Sequence, residues 1–238
     1  MSAKVVKDRK VIAAMFSSIA HRYDFVNRLL SFRQADKWRS RLIRGAELPE
    51  RGLVLDVCTG SGDLALGFVR ERPDFKGYVI GIDISAPMID VARGRLAKLG
   101  PPYPRRVEFL MGDALDLEFA DEKFDVVSAG FGVRNFADLG EGLKEMHRVL
   151  KVGGQANILE FFRSGTGFAP ARWYSDNIVP LVGNMVTRTN AYTYLCRSIN
   201  DFFSPEDFEE AMKAAGFRDI VWERMTFGIA YIVRGTKG

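Results

Sequence analysis

The stretch Leu53–Asp63, LVLDVCTGSGD, decides the fold. Apolar residues flank Asp56, a Thr-Gly-Ser-Gly turn follows, and DLALGFVRER continues with helical spacing. This reads as a buried strand, a tight turn and a helix N-terminus. Gly60 and Gly62 let the backbone turn sharply and admit a ligand to close range, and the helix start offers unpaired N–H groups. Such a turn is suited to holding a small molecule.

The pattern repeats on both sides of it. Gly77–Asp83 (GYVIGID) predicts a second strand ending in an acid, and Ala86–Leu99 a helix capped by Ser85 or Asp83. RVEFLMGDA brings a third strand to Asp113, Phe124–Phe131 predicts a fourth and Gln155–Phe162 a fifth. Between the last two, Leu139–Leu150 reads as a helix closed by Gly153-Gly154. Strand and helix alternate, which predicts a mostly parallel sheet with helices on both faces.

Residues 8–46 precede it as helices broken near Ser31–Gln34, packed over the C-terminal edge of the sheet. Residues 164–203, rich in aromatics and Gly, read as a helical insertion. Pro205–Gly216 is then a helix with Ser204 as N-cap, and Arg218–Met225 with Ile229–Gly235 a final antiparallel hairpin. No repeat or linker divides the 238 residues, so 1–238 is expected to form one domain.

Composition narrows the function. With 47% hydrophobic and 27% charged residues, the chain has an ordinary globular make-up. No apolar run reaches the length of a membrane span, and the opening MSAKVVKDRK has no signal-peptide core, so the expected compartment is the cytoplasm. Cys58 and Cys196 are far apart, and His21 and His147 are the only histidines, so no disulfide framework or metal site is expected. The net charge of +4 is unevenly placed: Lys4–Arg44 holds eleven Lys or Arg against Asp8, Asp24 and Asp36. A solvated basic helix face explains this, and so does contact with an anionic membrane surface.

In open α/β sheets ligands bind at the C-terminal ends of strands. Asp56–Asp63, Asp83, Asp113 and Gly130–Asn135 all fall there. GSGDLA fits the GxGxxA dinucleotide fingerprint, with Asp83 placed to take ribose hydroxyls, so an NAD-dependent oxidoreductase is one reading. Asp56 separates the readings. A carboxylate at the first strand end opposes a pyrophosphate but attracts the ammonium and sulfonium of S-adenosylmethionine. Asp113 could accept from the adenine amine. Each acid could instead be a cap or a first-turn helix carboxylate, but three at successive strand ends favour the methyl donor.

At this point the motifs DVCTGSGD, Gly81–Asp83, Gly112–Ala114, GFGVRNFAD (Gly130–Asp138) and EMHRVLKVGG (Glu145–Gly154) resemble class I methyltransferases. With Tyr23–Phe32, Trp38, Ile158–Phe161 and AYTYLCRSINDF (Ala191–Phe202), nearly the whole chain resembles the menaquinone/ubiquinone biosynthesis C-methyltransferase family. The resemblance implies a Rossmann-like, mostly parallel seven-stranded sheet. It also implies methyl transfer from S-adenosylmethionine, leaving S-adenosylhomocysteine, to a ring carbon of a polyprenylated quinol. Demethylmenaquinol is the first choice; a ubiquinone-pathway benzoquinol or another small molecule is the alternative. An RNA methyltransferase ranks low, since no recognition domain or NPPY-like motif is present, and no nucleic-acid partner is expected. A homodimer and association with the inner face of the membrane stay open. Arg33 and Ala35 stand where the family often has Gly and His, Val152 replaces a Pro, and Phe162 and Arg163 replace small or polar residues.

The expected cofactor set is Asp56, Thr59, Gly60, Ser61, Gly62, Asp83, Ile84, Met88, Asp113, Ala114, Gly130 and Phe131. Carbon methylation needs an ionising quinol hydroxyl, so the site should stabilise an oxyanion. Arg134 is the first candidate and Asn135 a second donor, with an Arg134 ion pair to Asp138 or Glu141 as the structural alternative. His21, Tyr23 and Asp24 are the weaker candidates for the base. Trp173, Tyr174, Met185, Tyr192, Tyr194, Phe202 and Phe203 offer an apolar passage for an isoprenoid tail, or a core.

Overall fold

The computed structural model describes residues 14, 15, 17, 18, 26, 28–163, 177–187 and 189–238. His21, Tyr23, Asp24, Trp173 and Tyr174 lie outside them. The strands are β1 (Leu53–Val57), β2 (Tyr78–Asp83), β3 (Val107–Met111), β4 (Phe124–Gly130), β5 (Leu150–Glu160), β6 (Phe217–Met225) and β7 (Ala230–Lys237). Among the described residues, the helices of at least nine residues are α1 (Gln34–Arg44), α2 (Asp63–Glu71), α3 (Ala86–Leu99), α4 (Leu139–Val149), α5 (Val179–Thr187), α6 (Ala191–Asn200) and α7 (Pro205–Ala214).

The sheet runs β3-β2-β1-β4-β5-β7-β6. The first five strands are parallel, and β7 enters antiparallel between β5 and β6. The chain order reverses between β1 and β4, which opens a crevice at their C-terminal ends. The expected strands, and the expected helices that fall on described residues, are present. β5 begins earlier than the motif suggests, at Leu150: Gly153 adopts φ 76, and the register against β4 shifts between Phe124 and Val126, so the chain bulges without leaving the ladder.

Helices cover both faces. On one, Leu143 and Met146 of α4 and Phe208 and Met212 of α7 join Phe124, Val127 and Ile158 of the sheet. On the other, Trp38 and Leu42 of α1, Phe68 of α2 and Ile89 of α3 pack against Val54, Val79 and Val126. A third, smaller cluster unites Val26 and Leu30 with Ala191 and Tyr192 of α6 and partly buried residues of α5. Local chemistry sets several ends: Ser85 accepts from Met88 N–H at the start of α3, Ser204 from Asp207 N–H at the start of α7, and Gly216 holds φ 104 after α7. No described helix is long and apolar enough to cross a membrane.

Of the two uses expected for the aromatic insertion, two residues take the core one. Phe202 is buried in the main core against Phe162 and Phe208, and Tyr192 is buried where α5 crosses α6 at Gly183. Both are occupied by packing, while Met185 and Phe203 are exposed.

Candidate cofactor and substrate site

The crevice at the switch point is a cavity walled by the ends of β1, β2 and β4 and the loop after β3. Of the twelve cofactor candidates, Asp56, Thr59, Gly60, Ser61, Asp83, Ile84, Met88, Asp113, Ala114, Gly130 and Phe131 line it. Gly62 does not. It sits behind the turn at φ 85, where a Cβ would lie 2.7 Å from the Phe109 ring, so it closes the turn against α3 and β3.

The acids are more committed than their spacing suggests. Asp56 is 1% exposed. One oxygen accepts from Thr59 Oγ1 at 2.6 Å and Ala65 N–H at 3.2 Å, and the other from Ser128 Oγ at 3.0 Å. Ser128 arrives because β4 pairs with β1 in the register Asp56↔Ser128. Burial pushes the Asp56 carboxyl up to about 7, against these three hydrogen bonds. The expectation that Asp56 simply confronts a cation is therefore revised: it folds the turn first and touches the cavity second.

Asp83 accepts from Gly60 N–H and Ser85 N–H, both at 2.9 Å, and burial raises its pKa. Asp113 accepts from Leu115 N–H at 2.9 Å. Gly62 N–H is bonded to Thr59 O at 2.9 Å. The N–H groups of Gly60, Gly62 and Ala65 thus serve carboxylates or carbonyls of the protein. A dinucleotide turn needs such groups for its pyrophosphate, so this geometry disfavours the NAD reading.

Sequence reasoning missed Arg39 as a cavity residue, and placed Asp63 at the binding end only within the Asp56–Asp63 stretch, outside the cofactor set. Arg39, on α1, is 12% exposed, lies 3.1 Å from Asp63 and 5.7 Å from the centre of the Phe131 ring. Arg95 holds the other oxygen of Asp63 at 2.7 Å. Burial raises the Asp63 carboxyl, but Arg39 and Arg95 outweigh it and hold it below the ordinary value. Within a strongly basic segment, nothing in the spacing singled out Arg39. Its helix is anchored beside the cavity by Trp38, whose indole N–H donates to Thr226 Oγ1 at 2.8 Å and whose rings stand against Phe131 and Phe161. Arg33 begins this helix at φ 60, a backbone suited to the glycine the family often has there, and Ala35 is buried.

Arg134 lies behind the wall rather than in it. It is 2% exposed, and its Nη1 donates to Glu160 at 2.6 Å and to Phe131 O at 2.7 Å. Neither Asp138, which caps α4, nor Glu141, which pairs with Lys144, is its partner. Direct stabilisation of a substrate oxygen by Arg134 is revised accordingly: its charge is matched by a fully buried carboxylate. Burial raises Glu160's pKa, with Arg134 opposing. Asn135, in the next position, does line the cavity, and its Oδ1 accepts from Tyr194 of α6 at 3.2 Å. His147 packs edge-on against Phe217, away from the cavity. No group of three or more His, Cys, Asp or Glu among the described residues could hold a metal.

Comparison with known proteins agrees with this geometry. A Geobacter sulfurreducens protein named ubiquinone/menaquinone biosynthesis C-methyltransferase UbiE is 40% identical over 98% of this chain and 94% of its own length. A Thermus thermophilus demethylmenaquinone methyltransferase is 40% identical over 94% of this chain and all of its own. Among solved structures, an S-adenosylmethionine-dependent methyltransferase from Thermotoga maritima superposes with a TM-score of 0.65 at 22% identity, covering 94% of this chain and 99% of that one, a likeness of fold. The model of the ubiE/COQ5 methyltransferase family matches residues 3–237, and the chain belongs to that family.

Proposed function

We propose that this methyltransferase moves the methyl group of S-adenosylmethionine to a ring carbon of a polyprenylated quinol, demethylmenaquinol ahead of a ubiquinone-pathway benzoquinol. Its family and the names of its relatives make it an S-adenosylmethionine-dependent C-methyltransferase of quinone biosynthesis. The observation that carries the cofactor is the pairing of acidic strand ends with turn N–H groups already in use. Such a wall suits a cationic zwitterion and not a diphosphate.

The residues present fit the methyl donor. Asp83 would take the ribose hydroxyls, Asp113 and Ala114 the adenine edge, and Asp56 and Asp63 the cationic methionine end. Arg39, the sole Lys or Arg lining the cavity among the described residues, would meet the methionine carboxylate. When bound, S-adenosylmethionine supplies an electrophilic methyl group on a sulfonium.

On the substrate side, ionisation of a quinol hydroxyl pushes electron density to the adjacent ring carbon. That carbon takes the methyl as the S–CH3 bond breaks, and the ring proton then leaves to a base. A free phenol ionises only near pH 10, so donors that stabilise the oxyanion lower the barrier. Asn135 is such a donor. Arg134, paired to Glu160, holds the Val133–Asn135 turn in place. His21, Tyr23 and Asp24 remain the base candidates. Met185 and Phe203 are the exposed members of the apolar set for the isoprenoid tail.

The exposed arginines Arg28, Arg33, Arg41 and Arg44 support a peripheral contact with an anionic bilayer. Flotation with anionic liposomes at low salt tests it, and protein left at the bottom of the gradient rejects it. The central experiment incubates the protein with methyl-labelled donor and chemically reduced demethylmenaquinone or ubiquinone precursors. Label in the naphthoquinol is expected. Cofactor binding with no label in either quinol would overturn the proposal.

A further inference from the structure

Asn135 reaches the cavity on a short 3-10 turn, Val133–Asn135, whose backbone has little freedom left. Asn135 N–H donates to Gly132 O at 2.9 Å, and the preceding Arg134 is locked to Glu160 and to Phe131 O. What remains is the two-fold choice of its amide: carbonyl or NH2 toward the cavity. That choice decides whether the site meets an oxyanion with a donor or an acceptor.

Tyr194 makes the choice. It lies on α6, two positions after Tyr192 and so on a different face of the helix. Ala191, Tyr192 and Leu195 pack into the helical cluster with Val26 and Leu30, while Tyr194 extends to the 133–135 turn and donates to Asn135 Oδ1 at 3.2 Å. The phenol has no other hydrogen-bond acceptor, and Asn135 Nδ2 no partner, among the described residues. Burial raises the phenol's pKa, with Arg134's charge opposing, so it remains a donor at neutral pH.

We propose that Tyr194 is a positioning residue for methyl transfer: by donating to Oδ1 it commits Asn135 to presenting its N–H groups to the acceptor's developing oxyanion. This deepens the quinol reading given above and rests on it. Tyr194 touches neither substrate nor cofactor in this role; it acts through Asn135.

Tyr194→Phe keeps the ring and removes the hydroxyl. It should lower kcat about tenfold, the scale of one hydrogen bond, and leave KM for S-adenosylmethionine and affinity for S-adenosylhomocysteine unchanged. Asn135→Ala should cost more, and the double variant no more than Asn135→Ala alone. Asn135→Asp keeps an acceptor for Tyr194 but turns acceptors toward the oxyanion, and should fall at least as far as Asn135→Ala. A readout independent of turnover is the side-chain amide resonance pair of Asn135 in 15N-labelled protein, identified by its absence in Asn135→Ala. It should move in Tyr194→Phe.

A Tyr194→Phe enzyme at wild-type kcat, losses that multiply in the double variant, or an unmoved amide pair would overturn the inference. If wild type itself methylates no quinol, the proposed function fails, and the amide resonance still decides whether Tyr194 orients Asn135.

Discussion

The two rims of the cavity are built by different means. At the ends of β1, β2 and β3, each acid is tied to a near neighbour in sequence: Asp56 to Thr59, Asp83 to Ser85, Asp113 to Leu115. The ties are neutral hydrogen bonds, so burial wins and the Asp56 and Asp83 carboxyls rise. At the ends of β4 and β5, the ties span the chain. Arg134 reaches Glu160 and Tyr194 reaches Asn135, and the first of the two is a buried ion pair. The first rim has a local tie at every acid, to which Ser128 adds a bond to Asp56 and Gly60 one to Asp83. The second is complete only with β5 paired to β4 and α6 set against the Val133–Asn135 turn.

That difference can be broken at Glu160. With its carboxylate removed in Glu160→Ala, Arg134 keeps its charge at 2% exposure with no counter-ion. The expected loss is about 3–5 kcal/mol of folding stability in urea denaturation, the cost of an uncompensated buried charge. Glu160→Leu combined with Arg134→Met should recover most of it. Asp113→Ala on the other rim removes the hydrogen bond from Leu115 N–H at a partly exposed site, a neutral-donor tie whose loss costs about 1 kcal/mol. Equal losses at the two positions would erase the distinction between the rims.

The same division decides what the sequence could tell. The helix Ala86–Leu99 was legible to the residue because its caps, Ser85 and Gly100, are adjacent to it. The acids of the first rim were legible because a strand end and a turn place them. Their hydrogen-bond commitments were not, since Ser128 reaches Asp56 only through the β1–β4 register. On the second rim, GFGVRN marked the right turn, but Glu160, although inside the Ile158–Phe161 motif at the end of the expected fifth strand, carried no sign that it would pair with Arg134. Arg39 was hidden among eleven basic residues, and only the docking of Trp38 on Thr226, Phe131 and Phe161 brings it to the cavity.

Arg39 belongs to the first rim in space and to the second in manner, because α1 must dock before it can act. Arg39→Met keeps the stem and removes the charge. Calorimetry should show S-adenosylhomocysteine bound roughly tenfold more weakly, the scale of one charge-assisted hydrogen bond. An analogue lacking the methionine carboxylate should bind the variant and the wild type alike. If both ligands weaken equally, Arg39 acts by holding Asp63 and not by meeting the carboxylate.

The smallest effect tests whether Asp56, committed as it is to its turn, still senses the cofactor's charge. Its carboxyl titrates at about 7 in the fold against 3.8 when unperturbed, so the folded state holds the proton more tightly. The stability this adds is fully present below the lower value and is lost as pH rises through the window to about 7. Wild type should therefore lose more thermal stability than Asp56→Asn between pH 5 and 8 (an interval of order that window). Binding moves the opposite way. The ionised carboxylate attracts a sulfonium, whose charge does not titrate, whereas S-adenosylhomocysteine carries no such charge and shares the same titrating ammonium. The ratio of the two affinities cancels everything but the sulfonium. It should shift toward S-adenosylmethionine as pH rises through about 7 in wild type and stay flat in Asp56→Asn. A ratio that changes with pH in both proteins alike would assign that sensitivity to Asp83, the other raised carboxyl of the rim, and leave Asp56 a purely structural acid.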